Sequence, residues 1–342
     1  MNATPHIDPS KILQIGMGFF GTKTLLSAVE LGLFTNLARE PKTGRTLERE
    51  LGLHPRVTAD FLDALVALGL LERDGKSLEG TYKNAPDTEL FLDRNKPQYV
   101  GGILEMANHR LYGFWGNLTH ALKSGEPQNE VKHGENPFDA IYADEGRLEG
   151  FMRAMTGIQM GSFMALSKAF DFSKFKSVCD VGGASGTLSI VLARHYPGLA
   201  LTTFDLPVVE PIARRTISAA GLSERIGVVS GDMFVDSLPK ADVITMGAIL
   251  HDWDLEAKLR ILRAAYAALP EGGALIAIEN VIDDERRKNV FGLLMSLNML
   301  IETPGGFDYT GADFASWAKQ VGFKDVRIVP LAGPTSAAIA YK

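Results

Sequence analysis

Cysteine is almost absent from this chain of 342 residues, which contains only Cys179. A single cysteine cannot form an intramolecular disulfide, and it excludes a zinc site built from several cysteines. Cys179 lies in the apolar stretch KSVCDVGG, so we interpret it as a buried structural thiol rather than a nucleophile. Cysteine chemistry is therefore not expected to define the function.

Excess positive charge is also absent, because 35 Lys and Arg stand against 41 Asp and Glu, a net charge of -6. This balance gives no electrostatic case for nucleic acid or an anionic membrane, and we expect neither as a partner. The N-terminal stretch MNATPHIDPSK predicts no signal peptide. No run of about 18 or more apolar residues predicts a membrane span. We therefore expect a cytoplasmic protein.

The composition that is present, 46% hydrophobic and 22% charged residues, is that of an ordinary globular protein of about two domains. Residues 1–100 show helical spacing, followed by a predicted hairpin with its turn at Asp74 and Gly75. Helices followed by a hairpin predict a mainly α, winged-helix-like domain. The first helix is apolar on more than one side, at Phe19 and Phe20 among others, which predicts packing against another domain or subunit.

Residues 101–170 keep the helical spacing, with one predicted helix over 138–170, and are interpreted as linking helices. From 171 to 342, short apolar runs alternate with helical patterns. These runs are KSVCDVGG, ALTTFDL, IGVVSGDM, ADVITMGA, GALIAIENV, DVRIVPLA and SAAIAYK. The alternation indicates an α/β domain with a Rossmann-like, mostly parallel sheet covered on both faces. Ligands of such sheets bind at the carboxyl ends of the strands.

Three successive predicted strands end in groups suited to a nucleoside. The first ends at Asp180 and leads into a loop containing Gly182, Gly183 and Gly186, where main chain can approach a ligand closely. The second ends at Asp205, whose carboxylate can accept hydrogen bonds from both hydroxyls of a ribose. After the third, Asp232 can accept from an exocyclic amino group, and two large side chains can sandwich a purine. This third group consists of Gly231, Asp232, Met233 and Phe234.

This combination resembles the class I S-adenosylmethionine-dependent methyltransferases. The stretches ILHDWD, IEN and ETPGGFDYT are similar to those of the plant caffeate- and flavonoid-type small-molecule O-methyltransferases and their bacterial relatives in antibiotic, phenazine and carotenoid pathways. The resemblance covers nearly the whole chain. It implies an N-terminal dimerisation domain, a homodimer, S-adenosylmethionine as donor, S-adenosylhomocysteine as product and no metal. The implied acceptor is a hydroxyl of a small aromatic or conjugated metabolite.

The resemblance also implies roles for individual residues. His251 takes the position of the general base, Glu279 that of the acid that orients it, and Asp308 that of a second acid, where the family often has Glu. The amino group of the donor implies a carboxylate at Asp180. Further implied cofactor residues are Leu206, Gly247, Trp253 and Gln159. Implied substrate residues are Met106, His109, Trp115, Phe151, Met155, Met295, Asn298, Met299 and Glu302.

A base suits this reaction because a phenol, with a pKa of about 10, is a poor nucleophile while protonated. Neutral His can take that proton, and a nearby carboxylate stabilises the imidazolium that forms. Other interpretations stay open. The chain can be an N- or C-methyltransferase, a non-methylating member of the same fold, a nicotinamide dehydrogenase, a ligand-sensing DNA-binding regulator or a binding protein with a relic site. In a purely structural interpretation, Asp252 or Asp254 caps the next helix and His251 is only a polar corner residue.

Overall fold

The computed structural model describes residues 7–130, 142 and 144–342 of the chain. It divides into two compact units, Met1–Tyr112 and Gly113–Lys342. The first six residues, part of the stretch searched for a signal peptide, lie outside the described residues. So do positions 138–141, where the long linking helix is predicted to begin.

The first unit consists of short helices and a small antiparallel sheet. Strands β1 (Lys42–Thr43), β2 (Leu71–Asp74) and β3 (Thr81–Asn84) pair in the order β1-β3-β2. The helices are α1 (Ser10–Gly16), α2 (Gly18–Glu30), α3 (Leu33–Leu37), α4 (Gly44–Glu50), α5 (Thr58–Ala67), α6 (Pro86–Phe91) and α7 (Gly101–Met106). The predicted hairpin is confirmed as β2–β3, with Gly75 at a φ of 89° and a short 3-10 turn closing it. The winged-helix-like character of this unit stays a prediction.

Apolar side chains cover much of the first helical stretch, Ser10–Glu30. Ile12, Ile15 and Phe20 are 74%, 72% and 61% exposed. The stretch is long and apolar enough to cross a membrane, and only 17% of its most apolar 18-residue segment is buried. No such stretch was expected from the sequence, so that expectation is wrong for Ser10–Glu30. One helix of this kind near the N-terminus is weak support for a membrane span, because a protein partner can cover the same face.

The second unit is an α/β domain around a seven-stranded sheet. Its strands are β4 (Ser177–Val181), β5 (Ala200–Asp205), β6 (Ile226–Ser230), β7 (Val243–Gly247), β8 (Ala274–Glu279), β9 (Asp325–Pro330) and β10 (Ser336–Tyr341). Its helices are α8 (Tyr112–Phe114, at the boundary), α9 (Leu118–Ser124), α10 (Glu145–Ala169), α11 (Thr187–His195), α12 (Glu210–Ala219), α13 (Leu255–Ala268), α14 (Val290–Glu302) and α15 (Gly311–Val321). Each of the seven apolar runs forms a strand, as predicted.

Strand order in this sheet creates the position for a ligand. The order is β6-β5-β4-β7-β8-β10-β9, in which the first five strands are parallel and β10 is antiparallel to both of its neighbours. The chain moves outward from β4 to β6 and then returns to the other side of β4 with β7. Such a reversal opens a crevice at the carboxyl ends of the strands that flank it.

Candidate active site

A cavity of about 140 Å³ lies at this crevice, beside the carboxyl ends of β4, β5 and β7. Nine of the predicted cofactor residues line it: Gln159, Gly182, Asp205, Leu206, Gly231, Met233, Phe234, Gly247 and Trp253. Asp180, Gly183, Gly186 and Asp232 belong to the same segments but do not line the cavity. The fold therefore brings together most of the residues that the sequence singled out at separate strand ends.

The glycine loop after β4 leaves no room for side chains. Gly182 has a φ of 66°, and a Cβ atom there would lie 2.3 Å from Cδ1 of Ile249. At Gly183 a Cβ would lie 2.1 Å from Oγ1 of Thr203, on the neighbouring strand. Gly186 precedes the first residue of α11 in a left-handed conformation. Main chain rather than side chain is therefore presented to the cavity at this loop.

Two acids lie at the carboxyl ends of β4 and β5. The Asp205 carboxylate lines the cavity and accepts from the backbone N–H groups of Ala184 and Leu206, at 2.8 and 2.7 Å. Burial raises the pKa of Asp205 in spite of these bonds. Asp180 is 4% exposed and accepts from Oγ1 of Thr245 at 2.6 Å, and burial raises its pKa to about 7. Of the two, Asp205 is the one whose position lets it meet a ligand directly.

The far end of the cavity is aromatic. The rings of Phe234 and Trp253 meet edge to face with centroids 4.5 Å apart, and Met233 lies beside them. Asp232 accepts from the backbone N–H of Phe234 at 2.8 Å, so its carboxylate also holds the loop that carries this ring. Flat apolar walls of this kind suit a purine.

An unsatisfied polar atom belongs to a residue of the cavity wall, Gln159. Oε1 of Gln159 is buried and has no hydrogen-bond partner within the described part of the chain. A Cβ at Gly247 would lie 2.5 Å from that oxygen. Buried polar atoms are normally paired, so a free acceptor on a cavity wall fits a ligand that donates a hydrogen bond. Together with Asp205 and the glycine loop, it makes the cavity compatible with S-adenosylmethionine.

Backbone strain also concentrates here, at two residues that sequence reasoning missed. Ala184 and Ala248 line the cavity with φ values of 49° and 52°. Left-handed conformations are unfavourable for residues with a Cβ and persist where the surrounding structure enforces them, often at functional sites. Alanine carries no sequence signal of such a conformation, so no pattern could have found them.

His251 occupies the corner that follows β7. It is 6% exposed, within the short helical turn Leu250–Asp252. Nδ1 lies 3.8 Å from Oε2 of Glu279 and 3.4 Å from Oδ1 of Asp308. On the other side of the ring, Nε2 lies 3.5 Å from Oδ1 of Asp252. The imidazole therefore has a carboxylate within reach of each nitrogen.

Each of these acids is held by a different element. Glu279 ends β8, and its Oε1 accepts from the backbone N–H groups of Ile249 and Leu250, at 3.2 and 2.9 Å. Asp308 follows the turn that contains Gly306, where a Cβ would lie 2.6 Å from the carbonyl oxygen of His251. This close approach brings the two chain segments together and places Asp308, 1% exposed, beside the imidazole.

Electrostatics keep a proton on His251. Burial alone opposes the charged ring, but Glu279, Asp252 and Asp308 outweigh it and raise the pKa of His251 to about 10. For the acids, burial acts in the opposite direction: it raises the pKa of Glu279, and it raises the pKa of Asp252 to about 7. The imidazolium is thus strongly stabilised by its neighbours, which is the state that a general base reaches after it has taken a proton.

Two members of this cluster were missed in the sequence. Asp252 was considered there only as a possible helix cap, whereas the cap is Asp254, which accepts from the N–H of Ala257 at 2.8 Å. Asp252 instead lines the cavity beside His251. Lys258, on α13, is fully buried near the same acids. A lysine in an amphipathic helix normally lies on the solvent-exposed face, so the sequence of this helix did not indicate that Lys258 is buried.

By residue type, His251, Glu279 and Asp308 can also hold a metal ion, since their nearest ligand atoms lie within 4.8 Å of one another. The resemblance described above implies a role in proton transfer for the same three residues, and no metal.

The predicted acceptor residues are distributed over several elements. Phe151 and Met155, on α10, line the cavity. Nε1 of Trp115 donates to Oδ1 of Asn298 at 2.8 Å, and Nδ2 of Asn298 donates to Oε1 of Glu302 at 2.8 Å. Met299 is 5% exposed and Met295 half-buried, and neither lines the cavity. Met106 and His109 belong to the first compact unit, where His109 is exposed in a π-helical turn.

Comparison with known protein families identifies both parts of the chain. Residues 115–324 match the O-methyltransferase domain, and residues 13–94 match the O-methyltransferase dimerisation domain.

Individual relatives align over most of their length. The tetracenomycin polyketide synthesis 8-O-methyl transferase TcmO of Streptomyces glaucescens is 42% identical over 342 residues, which cover 99% of each chain. The N,N-dimethyltransferase OxyT of Streptomyces rimosus is 34% identical over 86% of this chain and 84% of its own. The crystal structure of human N-acetylserotonin methyltransferase in complex with SAM superimposes with a TM-score of 0.91 at 29% identity, covering 100% of this chain and 99% of the human one.

Proposed function

Because the chain belongs to the S-adenosylmethionine-dependent small-molecule O-methyltransferases, we propose that it methylates a hydroxyl of a small aromatic or conjugated metabolite with His251 as the general base. The observation that carries the proposal is the position of His251, buried at the cavity corner with carboxylates 3.4 Å from Nδ1 and 3.5 Å from Nε2. A DNA-binding regulator, a dehydrogenase and a relic binding protein are not favoured by this membership.

Binding of the donor is assigned to the cavity at the carboxyl ends of β4, β5 and β7. S-adenosylmethionine supplies a methyl group carried on a positively charged sulfonium. Asp205 would accept from the ribose hydroxyls, Phe234 and Trp253 would enclose the adenine, and Gln159 would accept through its free oxygen. The Asp252 carboxylate on the cavity wall would add attraction for the positive charge.

Proton removal is assigned to the His251 cluster. In-line methyl transfer depends mostly on positioning, and the remaining chemical demand is removal of the hydroxyl proton. A neutral imidazole takes this proton from the acceptor oxygen, and Glu279 and Asp308 stabilise the imidazolium. A sulfonium bound beside Asp252 lowers the affinity of His251 for its resting proton, so donor binding favours the basic form.

Two observations support the aromatic acceptor. The cavity wall carries Phe151, Met152 and Met155, which give a broad and adaptable apolar surface. The relative TcmO is named for an O-methylation in polyketide synthesis. The relative OxyT is named as an N,N-dimethyltransferase, so the atom that is methylated has to be tested rather than inferred from likeness.

The test compares 2-naphthol with 2-naphthylamine as probe acceptors. We expect turnover of the naphthol, and a loss of about 10²–10⁴ in its kcat for His251→Ala. Binding of S-adenosylhomocysteine, measured by calorimetry, is expected to persist in this variant. His195→Ala, which alters an exposed histidine, is the control. Full activity of His251→Ala on the naphthol overturns the base assignment, and a preference of the wild type for the amine indicates N-methylation.

The proposal includes a homodimer formed through the first unit. The chain has a dimerisation domain over residues 13–94, and the exposed apolar side chains Ile12, Ile15 and Phe20 lie within or next to it. Burial of such side chains against a second copy removes apolar surface from water. We also propose a cytoplasmic location, since the one thiol, Cys179, is buried and requires no oxidising compartment.

A further inference from the structure

We infer that Thr156 is a positioning residue of the active site, whose hydroxyl fixes the glycine loop after β4 against the long helix α10. The inference rests on the proposed function, in which a donor bound at this loop meets an acceptor bound along the helix. Thr156 itself does not line the cavity, and no motif in the sequence indicates it.

A ring of three hydroxyl groups joins α10 to the glycine loop. Oγ1 of Thr156 lies 3.1 Å from Oγ of Ser185 and 3.4 Å from Oγ1 of Thr187. The hydroxyls of Ser185 and Thr187 lie 2.8 Å apart. Each hydroxyl has one proton to donate and can also accept, so the three can satisfy one another. Ser185 belongs to the loop and Thr187 begins α11, so Thr156 is the member that α10 contributes.

The loop that this ring contacts has an unfavourable backbone. Gly182, Ala184 and Gly186 all have left-handed φ values, of 66°, 49° and 76°. Such conformations persist only where the surrounding structure enforces them. One constraint comes from the end of β5, where Asp205 accepts from the N–H of Ala184. The hydroxyl of Thr156 supplies another constraint, from a different element.

The face of α10 that carries Thr156 also carries residues of the cavity wall. Met152, Met155 and Gln159 line the cavity. Residues three and four positions apart in a helix lie on one face, and Thr156 is four positions from Met152 and three from Gln159. A shift of this turn relative to the loop would move the acceptor wall relative to the donor. In-line methyl transfer is sensitive to such a shift.

Thr216 on α12 offers a matched control. Both threonines are half-buried and lie within helices. Thr216 donates its hydroxyl to the carbonyl oxygen of Ile212, one turn back in its own helix, at 3.0 Å. This local bond is common for a helical threonine and joins no second element. At both positions, replacement by valine keeps the branched shape and removes the hydroxyl.

The experiment measures binding of S-adenosylhomocysteine by calorimetry in the full-length protein. Thr156→Val and Ser185→Ala each leave the loop less constrained, so we expect each to weaken binding by about three- to tenfold. The protein with both changes is expected to bind no more weakly than the weaker single variant, because the two hydroxyls act through one contact. Thr156→Ser, which keeps a hydroxyl, and Thr216→Val are expected to bind as the wild type does.

Turnover measures the geometry of the full complex. With S-adenosylmethionine and 2-naphthol both saturating, kcat of Thr156→Val is expected to fall by about tenfold and that of Thr156→Ser to stay close to the wild type. Because both ligands are bound under these conditions, the fall reports their misplacement. Should Thr156→Val not fold, Thr156→Ala removes the same hydroxyl and takes its place. Should neither fold, weakened binding in Ser185→Ala supports the inference and unchanged binding overturns it.

Wild-type affinity or wild-type kcat in folded Thr156→Val overturns the role of Thr156. Effects of Thr156→Val and Ser185→Ala that multiply in the double variant overturn it as well. These outcomes are distinct from failure of the proposed function. If the wild type methylates neither 2-naphthol nor 2-naphthylamine, or if His251→Ala retains full activity, the proposed function fails, and the binding measurements still decide the role of Thr156.

Discussion

Individual side chains at the His251 corner serve both structure and chemistry. Glu279 closes β8 against the corner by accepting two backbone N–H groups with one oxygen, while its other oxygen faces the imidazole. Asp252 faces the cavity, whereas its neighbour Asp254 caps α13. Two carboxylates only two residues apart thus differ in position: Asp252 lies on the cavity wall and Asp254 at the start of the helix.

The activity of the enzyme is expected to depend on pH through the protonation of His251. The pKa of His251 is raised to about 10, so the basic form is scarce at neutral pH and increases toward alkaline pH. We expect kcat for 2-naphthol at saturating donor to rise with pH in the wild type. In Asp308→Asn the rise should occur at lower pH, because one of the groups that raise the pKa is removed.

The same shift links His251 to stability. The pKa of His251 is higher in the folded protein than its usual value of about 6.5. Protonated His251 therefore contributes its full stabilisation below about pH 6.5, and this contribution is lost as the pH rises through about 10. Thermal unfolding across the alkaline range should show a smaller loss for Asp308→Asn than for the wild type. An identical dependence in the two proteins contradicts the assigned interaction.

The second residue-scale prediction concerns Gly247. A methyl group there would approach Oε1 of Gln159 to 2.5 Å and intrude on the cavity. Gly247→Ala is expected to weaken S-adenosylhomocysteine binding by about tenfold, or ~1.4 kcal/mol, in calorimetry. Gly198→Ala, where a Cβ meets no atom within 4 Å, is the matched control. Equal affinity in both variants contradicts the placement of the donor beside Gly247.

At the scale of elements, periodicity was the informative signal. The seven apolar runs all form strands, and the inner parallel strands β4, β7 and β8 are buried along almost their whole length, as a sheet covered on both faces requires. The strand pattern identified the acid at the end of β5, Asp205, and the resemblance to the family indicated His251 after β7. The sequence could not reveal residues that tertiary packing brings to the site. Lys258 belongs to a helix whose sequence pattern is typical of a solvent-exposed face, and Ala184 and Ala248 have strained backbone conformations.

Helix α13 carries the element-scale prediction. Asp254 precedes it and accepts from the N–H of Ala257, so Asp254→Ala leaves that donor without its partner. The free energy of unfolding is expected to fall by about 1 kcal/mol, while Asp254→Asn, which retains an acceptor, should change it far less. Chemical denaturation of the three proteins measures the difference. A drop of the same size in Asp254→Asn would assign the effect to charge rather than to capping.

In the whole molecule, the exposed apolar stretch Ser10–Glu30 is suited to contact with either a protein partner or a membrane, and mutation separates the two. If a second copy covers it, Ile12→Glu combined with Ile15→Glu should convert a dimer into a species of the chain mass, 37.1 kDa, in light scattering. Val235→Glu, at a side chain that is 80% exposed in the second unit, is the control. A wild type that is monomeric, or that sediments with lipid vesicles, contradicts the homodimer.

The position of β10 has a consequence for synthesis of the chain. This strand lies between β8 and β9 in the sheet, yet it follows β9 in sequence. Until residues 336–341 have been synthesised and released, β8 therefore has a free edge that is apolar apart from Glu279, and β9 has no neighbour to pair with. Uncovered strand edges of this kind invite association with other chains. Completion of the sheet therefore has to wait until β10 has been synthesised.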